Sequence, residues 1–522
     1  MMARNHSSHR TPPAIPAGIA ALLIALLLLV SPALGAEDAA SVHLTILHTN
    51  DIHGHVHARP MGRNKLLAGG IARIAGYAAK VRKEAEAGGA YAVLVDAGDI
   101  YAGTPEGNLS KGRLCIELMN SAGYEMGCIG NHEFDDGADN LAALAKAARF
   151  PLIGSNIRLQ ETGARPDWAR AYVIREFGDL KVAFLGVVTV ETADISSGGS
   201  AVRFLDEAKM LKATHRLARE EGAVLSVALT HVGFDRDKEL AGKVPAVPLL
   251  IGGHSHTYLK KIWEHPETGV RVVQAGCHAT HIGRLELDIS PAGEIRALDY
   301  RMVWLGGHRV PPDPRVEAEL EEKSASIRKT MDRPLGNALA EVERGGRRFS
   351  GASSPLGNLL ADLMRKAAGA DLAFHNRTGI RDTIPGGAVT FRDVYRVCPF
   401  GNTVYAMDLA GKDVLALLEY ALSKGNRYLL EISGAAVVYD PEKESGQRVV
   451  SVTVGTEPLD PEAVYRVATS NFIAAGGDGH EVFERGTRRE DTGTLLRDRL
   501  AAWIEDHQPF RVEYTNRIRK KE

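Results

Sequence analysis

The stretch ILHTNDIHG, residues 46–54, leads from an apolar run into a loop that carries Asp51 and His53. The run from Val42 to Leu47 predicts a β-strand. Four later apolar runs, also predicted as strands, end in glycine-containing blocks that carry Asp, Asn or His: DAGD (96–99), GNHEFD (130–135), LTHVG (229–233) and GGHSHT (252–257). Because strand ends meet at one edge of an α/β sheet, we expect these side chains to converge on one place.

The composition excludes several classes of protein. The 522-residue chain has 63 Lys+Arg against 65 Asp+Glu, and its net charge of -2 gives no sign of the basic surface that nucleic-acid binding requires. Hydrophobic residues make up 44% of the chain, too many for a disordered protein. Since a domain has roughly 100–200 residues, we expect two or more domains of α/β type.

The residue types in the five blocks indicate a metal centre. Asp, His and Asn without Cys form a mixed oxygen and nitrogen set, which suits divalent zinc, manganese or iron. One such block is usually incidental, but five at successive predicted strand ends are not. The seven candidate ligands exceed the four of a tetrahedral site and predict a dinuclear centre with a bridging carboxylate. They are Asp51, His53, Asp99, Asn131, His231, His254 and His256.

In this order, the five blocks resemble the calcineurin-like metallophosphoesterases, and more narrowly the bacterial 5'-nucleotidase family. That family includes UDP-sugar hydrolases and 2',3'-cyclic-nucleotide phosphodiesterases. The second half of the chain resembles it too, in PLGNLLAD (355–362), NRTGIR (376–381), PFGN (399–402) and AAGGDG (474–479). The resemblance implies a layered α/β/β/α metallophosphoesterase domain, with a central pair of sheets flanked by helices, and a smaller α+β C-terminal domain.

For the site, the resemblance implies two divalent metal ions that share Asp99. One would be held by Asp51, His53, Asp99 and His256, and the other by Asp99, Asn131, His231 and His254. His132 and Asp135 match the catalytic pair of the family, in which the histidine stabilises charge on the phosphoryl group or the leaving oxygen. The nucleophile would be a metal-bound hydroxide, so no serine or cysteine nucleophile is expected.

The C-terminal domain of the family binds the nucleoside, and four positions here match its substrate contacts. Asn376 and Arg381, in NRTGIR, correspond to residues that touch the substrate. Leu429 and His480 stand where family members commonly carry two aromatic rings that stack on the base. The phosphohydrolase assignment does not depend on these rings, but their replacement predicts weak discrimination among bases.

The chain divides into four predicted segments. Residues 1–36 have the layout of a secretory signal peptide, with a basic start, an apolar run over 19–30 and small residues near the cut. That run is shorter than the ~20 residues of a spanning helix, which disfavours the alternative of a membrane anchor. The metallophosphoesterase domain is predicted over 41–310, a linker helix over 311–334, and the substrate-binding domain over 335–522. We expect a periplasmic or secreted protein with no membrane anchor after cleavage.

Cysteines are few for an exported chain of this length. Cys115, Cys128, Cys277 and Cys398 allow three disulfide pairings, which the sequence does not rank. Cys128 lies in an apolar segment and is expected to be a small core residue.

Together, these features predict an exported 5'-nucleotidase that releases phosphate from nucleoside monophosphates. A 2',3'-cyclic-nucleotide phosphodiesterase or a UDP-sugar hydrolase on the same centre is the alternative, with a thiosulfate-ester hydrolase as a more distant one. From a different class, the chain would be a surface binding protein with a vestigial site, against which the complete ligand set argues. The metal, the preferred nucleotide and the oligomeric state are left open.

We expect the mature protein to begin near Gly35 or Ala36, because Ala33 and Gly35 supply the small residues that precede a signal-peptide cut. N-terminal sequencing of protein recovered from an exporting host measures this start. Membrane-bound protein that retains Met1 would identify residues 1–36 as an anchor instead.

Overall fold

The structure is a computed structural model that describes residues 41–61, 66–196, 201–345, 349, 352–423 and 429–521. The predicted signal peptide, residues 1–36, lies outside these ranges. Within them, every helix is too short or too polar to cross a membrane.

Two six-stranded sheets form the N-terminal half of the chain. In the first, Val42–Thr49 pairs in parallel with Tyr91–Asp96 and antiparallel with His281–Ile289. Its strands, in order, are Ile295–Trp304, His281–Ile289, Val42–Thr49, Tyr91–Asp96, Met126–Cys128 and Leu152–Ile153. Those of the second are Trp263–Glu264, Arg271–Val273, Leu249–Gly252, Leu225–His231, Leu180–Val188 and Tyr172–Phe177. The motif blocks therefore follow strands of both sheets.

Successive side chains of a strand point to opposite faces of the sheet, and in this half the two faces enter different apolar layers. Leu44 and Ile46 enter an apolar core shared with Val227 and Leu229 of the second sheet, whereas Leu47 packs against helices. The helices on the outer side of the first sheet are Ile71–Ala87, Arg113–Ala122, Ala138–Ala147 and Pro314–Met331. Those on the second are Glu207–Glu220 and Phe234–Lys243. The predicted α/β/β/α layering is confirmed.

Shorter elements connect these layers. The helices Pro105–Leu109 and Thr192–Ile195 and the 3₁₀ turn His132–Phe134 lie between strands. Two pairs of short strands add to them, Arg59–Met61 with Leu66–Ala68 and Ile157–Leu159 with Val202–Phe204.

Mixed sheets and helices form the C-terminal half, as the predicted α+β class requires. The five-stranded sheet contains, in order, Leu430–Ser433, Leu372–Asn376, Val464–Ser470, Thr403–Ala410 and Thr487–Leu495. The four-stranded sheet contains Glu457–Pro458, Val449–Val454, Ala435–Tyr439 and Ile518–Lys520. Pro334–Ala338 pairs with Gly387–Thr390. The helices are Pro355–Ala368, Phe391–Val397, Gly411–Ser423, Asn471–Ala474 and Leu496–Asp506, with 3₁₀ turns at Arg377–Gly379, Gly477–Gly479 and Glu481–Arg485.

The segment 311–334, predicted as a linker helix, contains the helix Pro314–Met331. The Asp313 side chain caps its start by accepting two backbone N–H bonds, and Pro314 occupies the first helical position. Val316 and Leu320 bury one side of the helix in the N-terminal core. The helix therefore packs as part of the N-terminal half before the chain enters the C-terminal half.

The strand His281–Ile289 lies inside the first sheet and not at its edge. The alternation in Leu285–Ile289 predicts an edge or half-exposed strand, and the structure has it within His281–Ile289, paired on both sides. The half-exposed character is present in its alternating burial. The edge position is wrong because Ile295–Trp304, whose apolar residues lack a clear pattern, forms the edge instead.

All four cysteines are free and buried, so none of the possible disulfide pairings forms. Cys128 lies in the core between the two sheets, as its apolar surroundings predict.

Candidate metal centre

The structure brings the seven predicted ligands together at the carboxyl ends of strands from both sheets. Ligand atoms lie within 4.8 Å of one another in three groups, which are Asp51, His53 and His256; His53, Asp99 and His132; and Asp99, His231 and His254. Asn131 joins them through its Oδ1 atom, 2.9 Å from His254 Nδ1. His53 and Asp99 each occur in two groups and so connect the set into one centre.

An unusual backbone holds these side chains in place. Five of the seven residues, namely Asp51, His53, Asp99, His254 and His256, have φ angles between 50° and 76°. Residues other than glycine rarely adopt this left-handed conformation, and such strain is concentrated at functional sites. The neighbouring glycines allow close packing, since a Cβ at Gly130 would lie 2.3 Å from Asp99 Oδ1.

Backbone carbonyl groups orient two of the imidazole rings. His53 Nδ1 lies 2.7 Å from the Ala102 carbonyl oxygen, and His231 Nδ1 lies 2.7 Å from that of Ala97. Because a carbonyl oxygen only accepts hydrogen bonds, both Nδ1 atoms donate, which leaves the two Nε2 atoms to face the centre, where each can bind a metal ion once it has released its proton. This arrangement is typical of histidines that bind metals through Nε2.

The donor set fits a cation because its ring nitrogens and carboxylate oxygens lie so close together that only a proton or a metal ion between them makes the contact favourable. His231 Nε2 lies 3.1 Å from Asp99 Oδ2, and His53 Nε2 lies 3.0 Å from His256 Nε2. Burial alone would lower the pKa of His231, but the Asp99 and Asp51 carboxylates raise it to about 10. The centre therefore strongly favours positive charge, and its oxygen and nitrogen atoms are ligands suited to divalent metals.

The predicted catalytic pair lies at the edge of this centre. His132 Nδ1 is 2.7 Å from Asp135 Oδ2, and the His132 backbone N–H donates to Asp99 Oδ1 at 3.0 Å. Burial alone would lower the pKa of His132, but the charges of Asp135 and Asp99 outweigh it and raise this pKa. On its other side, the His132 ring stacks on Phe400 with 6.2 Å between centroids and 14° between planes.

Glu133 has a role that the sequence argument missed. Its carboxylate accepts backbone N–H bonds from Asp99, Ile100 and Gly130 at 3.0, 2.7 and 2.7 Å. Burial and the nearby Asp99 charge raise the pKa of Glu133 to about 7. One indication of this role was present in the sequence, because Glu133 lies in the GNHEFD block between His132 and Asp135, which were assigned to the site.

Among the predicted substrate residues, Arg381 lies nearest to the metal centre. Its positive charge acts on His132 and His53, and its guanidinium carbon is 5.7 Å from the centroid of the Phe400 ring. Phe400 belongs to the PFGN segment of the C-terminal half, so both halves of the chain border the centre.

The other three predicted substrate residues are buried in the C-terminal half. Asn376 donates from Nδ2 to Asp478 Oδ2 at 2.8 Å. Leu429 packs within the apolar core, and the His480 ring packs edge-on against Tyr420 at 5.2 Å. Burial lowers the pKa of His480 to about 4. Neither Leu429 nor His480 offers an exposed surface on which a base could stack.

Two families of proteins match this chain. Residues 44–258 match the family described as calcineurin-like phosphoesterase, and residues 334–485 match the 5'-nucleotidase, C-terminal domain. The first match contains all seven predicted ligands and the His132–Asp135 pair. The second contains the four predicted substrate positions.

Curated relatives and a solved structure agree with these matches. The chain is 30% identical over 506 residues to the snake venom 5'-nucleotidase of Gloydius brevicauda, which covers 88% of this chain and 85% of that protein. It is 30% identical over 496 residues to the trifunctional nucleotide phosphoesterase protein YfkN of Bacillus subtilis (strain 168), covering 86% of this chain but 33% of that longer protein. The 5'-nucleotidase precursor from Thermus thermophilus has a TM-score of 0.83 at 32% identity, over 92% of this chain and 99% of that one.

We expect Asp99→Asn to lose most of its bound divalent metal, because the shared carboxylate would no longer carry a charge between the two positions. Asp96→Asn is the matched control in the same block. Asp96 accepts hydrogen bonds from the Thr49 hydroxyl and the Gly98 backbone N–H and belongs to none of the ligand groups, so its amide variant removes no proposed metal ligand. Metal analysis of protein purified without chelator makes the comparison, and two metals per chain in Asp99→Asn would contradict the assignment.

Proposed function

Because the chain belongs to the 5'-nucleotidase family of calcineurin-like phosphoesterases, which are metal-dependent phosphoester hydrolases, we propose that it releases phosphate from nucleoside monophosphates. The convergence of seven oxygen and nitrogen ligands, with the buried Asp99 among them, carries this proposal. A binding protein with a vestigial site would be expected to have lost some of these ligands, and none has been lost.

The proposal assigns two cations to this centre, with Asp99 between them. Asp51, His53 and His256 complete one position, and Asn131, His231 and His254 complete the other. When bound, the two divalent cations would polarise the phosphoryl oxygens and activate a water molecule. The hydrogen bonds from His53 and His231 to backbone carbonyls hold the ligand rings ready for this role.

His132 is assigned to the phosphoryl group or the leaving oxygen. Its Nδ1 contacts Asp135 at 2.7 Å, which fixes the ring and leaves Nε2 to face the substrate. The Phe400 ring stacked on it restricts its rotation and keeps water from one face. Since Phe400 comes from the C-terminal half, the substrate is expected to lie between the two halves.

Further contacts join the two halves beside the centre. Asn108 Nδ2 donates to the Pro399 carbonyl oxygen at 2.8 Å, next to Phe400. The Arg392 guanidinium pairs with Glu106 at 2.5 Å. These contacts hold the two halves against each other, and we expect the positively charged Arg381 guanidinium to contact the substrate between them.

Export is part of the proposal and rests on the signal-peptide pattern of residues 1–36, outside the described residues. We expect the mature enzyme in the periplasm or secreted, acting on free nucleotides. A 2',3'-cyclic-nucleotide phosphodiesterase remains the second candidate, favoured by the likeness to the trifunctional nucleotide phosphoesterase of Bacillus subtilis.

We expect His132→Ala to lower kcat by about 10²- to 10⁴-fold, the usual contribution of a positioned acid or base. Metal content should stay unchanged, because alanine keeps the backbone N–H that donates to Asp99. Asp135→Asn, which keeps the shape but not the charge, should show a smaller loss. An unchanged kcat in His132→Ala would remove this residue from the mechanism, and loss of metal would give it a structural role.

The proposed function is tested by kcat/KM for AMP, GMP, UMP and CMP, with bis-p-nitrophenyl phosphate and a 2',3'-cyclic nucleotide alongside. We expect the four monophosphates to lie within about tenfold of one another, a spread of ~1.4 kcal/mol. The reason is that Leu429 and His480 are buried and replace two rings that would each contribute ~1–3 kcal/mol by stacking.

Two results would count against this account. A hundredfold preference for one base would show that another part of the chain forms a selective base pocket. Faster turnover of the diesters than of every monophosphate would establish the phosphodiesterase instead.

A further inference from the structure

Two potential metal ligands beside the centre have no part in the proposed function. Cys277 and His278 follow the strand Arg271–Val273 and lie next to His256, one of the assigned ligands. The ligand atoms of His256, Cys277 and His278 all lie within 4.8 Å of one another. Cysteine and histidine together are the donor set that zinc prefers, and the centre of oxygen and nitrogen ligands next to them has no thiol.

The local structure holds these three side chains as a group. His278 has a φ of 60° and His256 a φ of 56°, so both have the left-handed backbone found in the assigned ligands. The Cys277 sulfur lies within 4.8 Å of a nitrogen of the His256 ring, and the Tyr258 hydroxyl lies 3.6 Å from the same sulfur. Cys277 is 9% exposed and the His256 side chain 29%, so the group lies at the rim where a cation can enter.

We propose that His256, Cys277 and His278 form an additional site for a thiophilic divalent cation such as zinc, and that its occupation inhibits the enzyme. The Cys277 thiol loses its proton to solvent as the sulfur–metal bond forms. Inhibition follows because His256 is shared. Its Nε2 lies 3.4 Å from Asp51 Oδ1 and 3.0 Å from His53 Nε2, so a cation at Cys277 competes for a ring of the catalytic centre.

One neighbouring charge opposes this site. The Arg59 guanidinium lies 3.4 Å from His278 Nδ1 and 3.3 Å from His55 Nδ1. Both contacts are at the long end of the hydrogen-bond range, so their loss on metal binding costs little. The positive charge of Arg59 still repels a cation, so the site should fill only after the catalytic positions, when the cation is in excess.

The inference rests on the proposed function in its use of His256 and in its count of two cations at the catalytic centre, and its main test does not require turnover. Metal-free protein is titrated with Co²⁺ and followed by absorption, in which a sulfur-to-cobalt charge-transfer band reports a thiolate ligand. We expect this band with the third equivalent in the wild type and in Cys115→Ser, a control at a buried cysteine in the helix Arg113–Ala122. Cys277→Ser should lack it and bind one equivalent fewer.

Absence of the band from the wild type, or its persistence in Cys277→Ser, would overturn the proposal. A band complete within the first two equivalents would overturn it too, because Cys277 would then belong to the catalytic pair of metals. If Cys277→Ser fails to fold, the wild type still decides, since excess zinc should protect Cys277 from alkylation, as measured by mass spectrometry.

Inhibition is measured separately with a substrate that the wild type turns over. Cys277→Ser should need at least about tenfold more zinc than the wild type for half inhibition. Loss of a residue that only supports a metal ligand lowers metal affinity by about 10- to 100-fold, and loss of the ligand itself should cost no less. Equal sensitivity of the two proteins would contradict the inhibitory role.

Discussion

The buried carboxylate of Asp99 is the constraint on which the rest of the site depends. It is 2% exposed, with His231 Nε2 3.1 Å and His53 Nε2 3.7 Å from the same oxygen. A buried carboxylate without compensating charge costs several kcal/mol. Burial alone would raise the pKa of Asp99, but the surrounding histidines hold it well below its ordinary value. The fold therefore places a negative charge between the two proposed cation positions, and the imidazole rings surround it.

A set of hydrogen bonds to the backbone keeps Asp99 in this position. Glu133 binds the backbone on both sides of it, and Gly130 leaves space for its side chain. The C-terminal half contributes Phe400, whose ring stacks on that of His132, and Arg381, which lies next to Phe400. The layered N-terminal half thus contains the proposed metal ligands, while the C-terminal half places Phe400 and Arg381 beside them, where we expect them to limit how a substrate approaches.

The sequence predicted most of the centre because its ligands follow strands, and strand ends converge. The five blocks therefore led to Asp51, Asp99 and the others without knowledge of any contact. Glu133 and Phe400 were missed because their roles arise from packing and backbone contacts, which residue type and spacing do not reveal. Leu429 and His480 were placed on a base-binding surface by resemblance, and both side chains are buried. The grouping of Cys277 with His256 comes from loops about twenty residues apart, which only the fold brings together.

Anomalous diffraction from crystals of the metal-loaded protein, recorded at the absorption edge of the bound metal, tests the central claim most directly. The account predicts two peaks ~3.5–4 Å apart, the separation typical of paired catalytic metals, with one Asp99 carboxylate bound to both. A single peak, or two peaks that do not share Asp99, would contradict it.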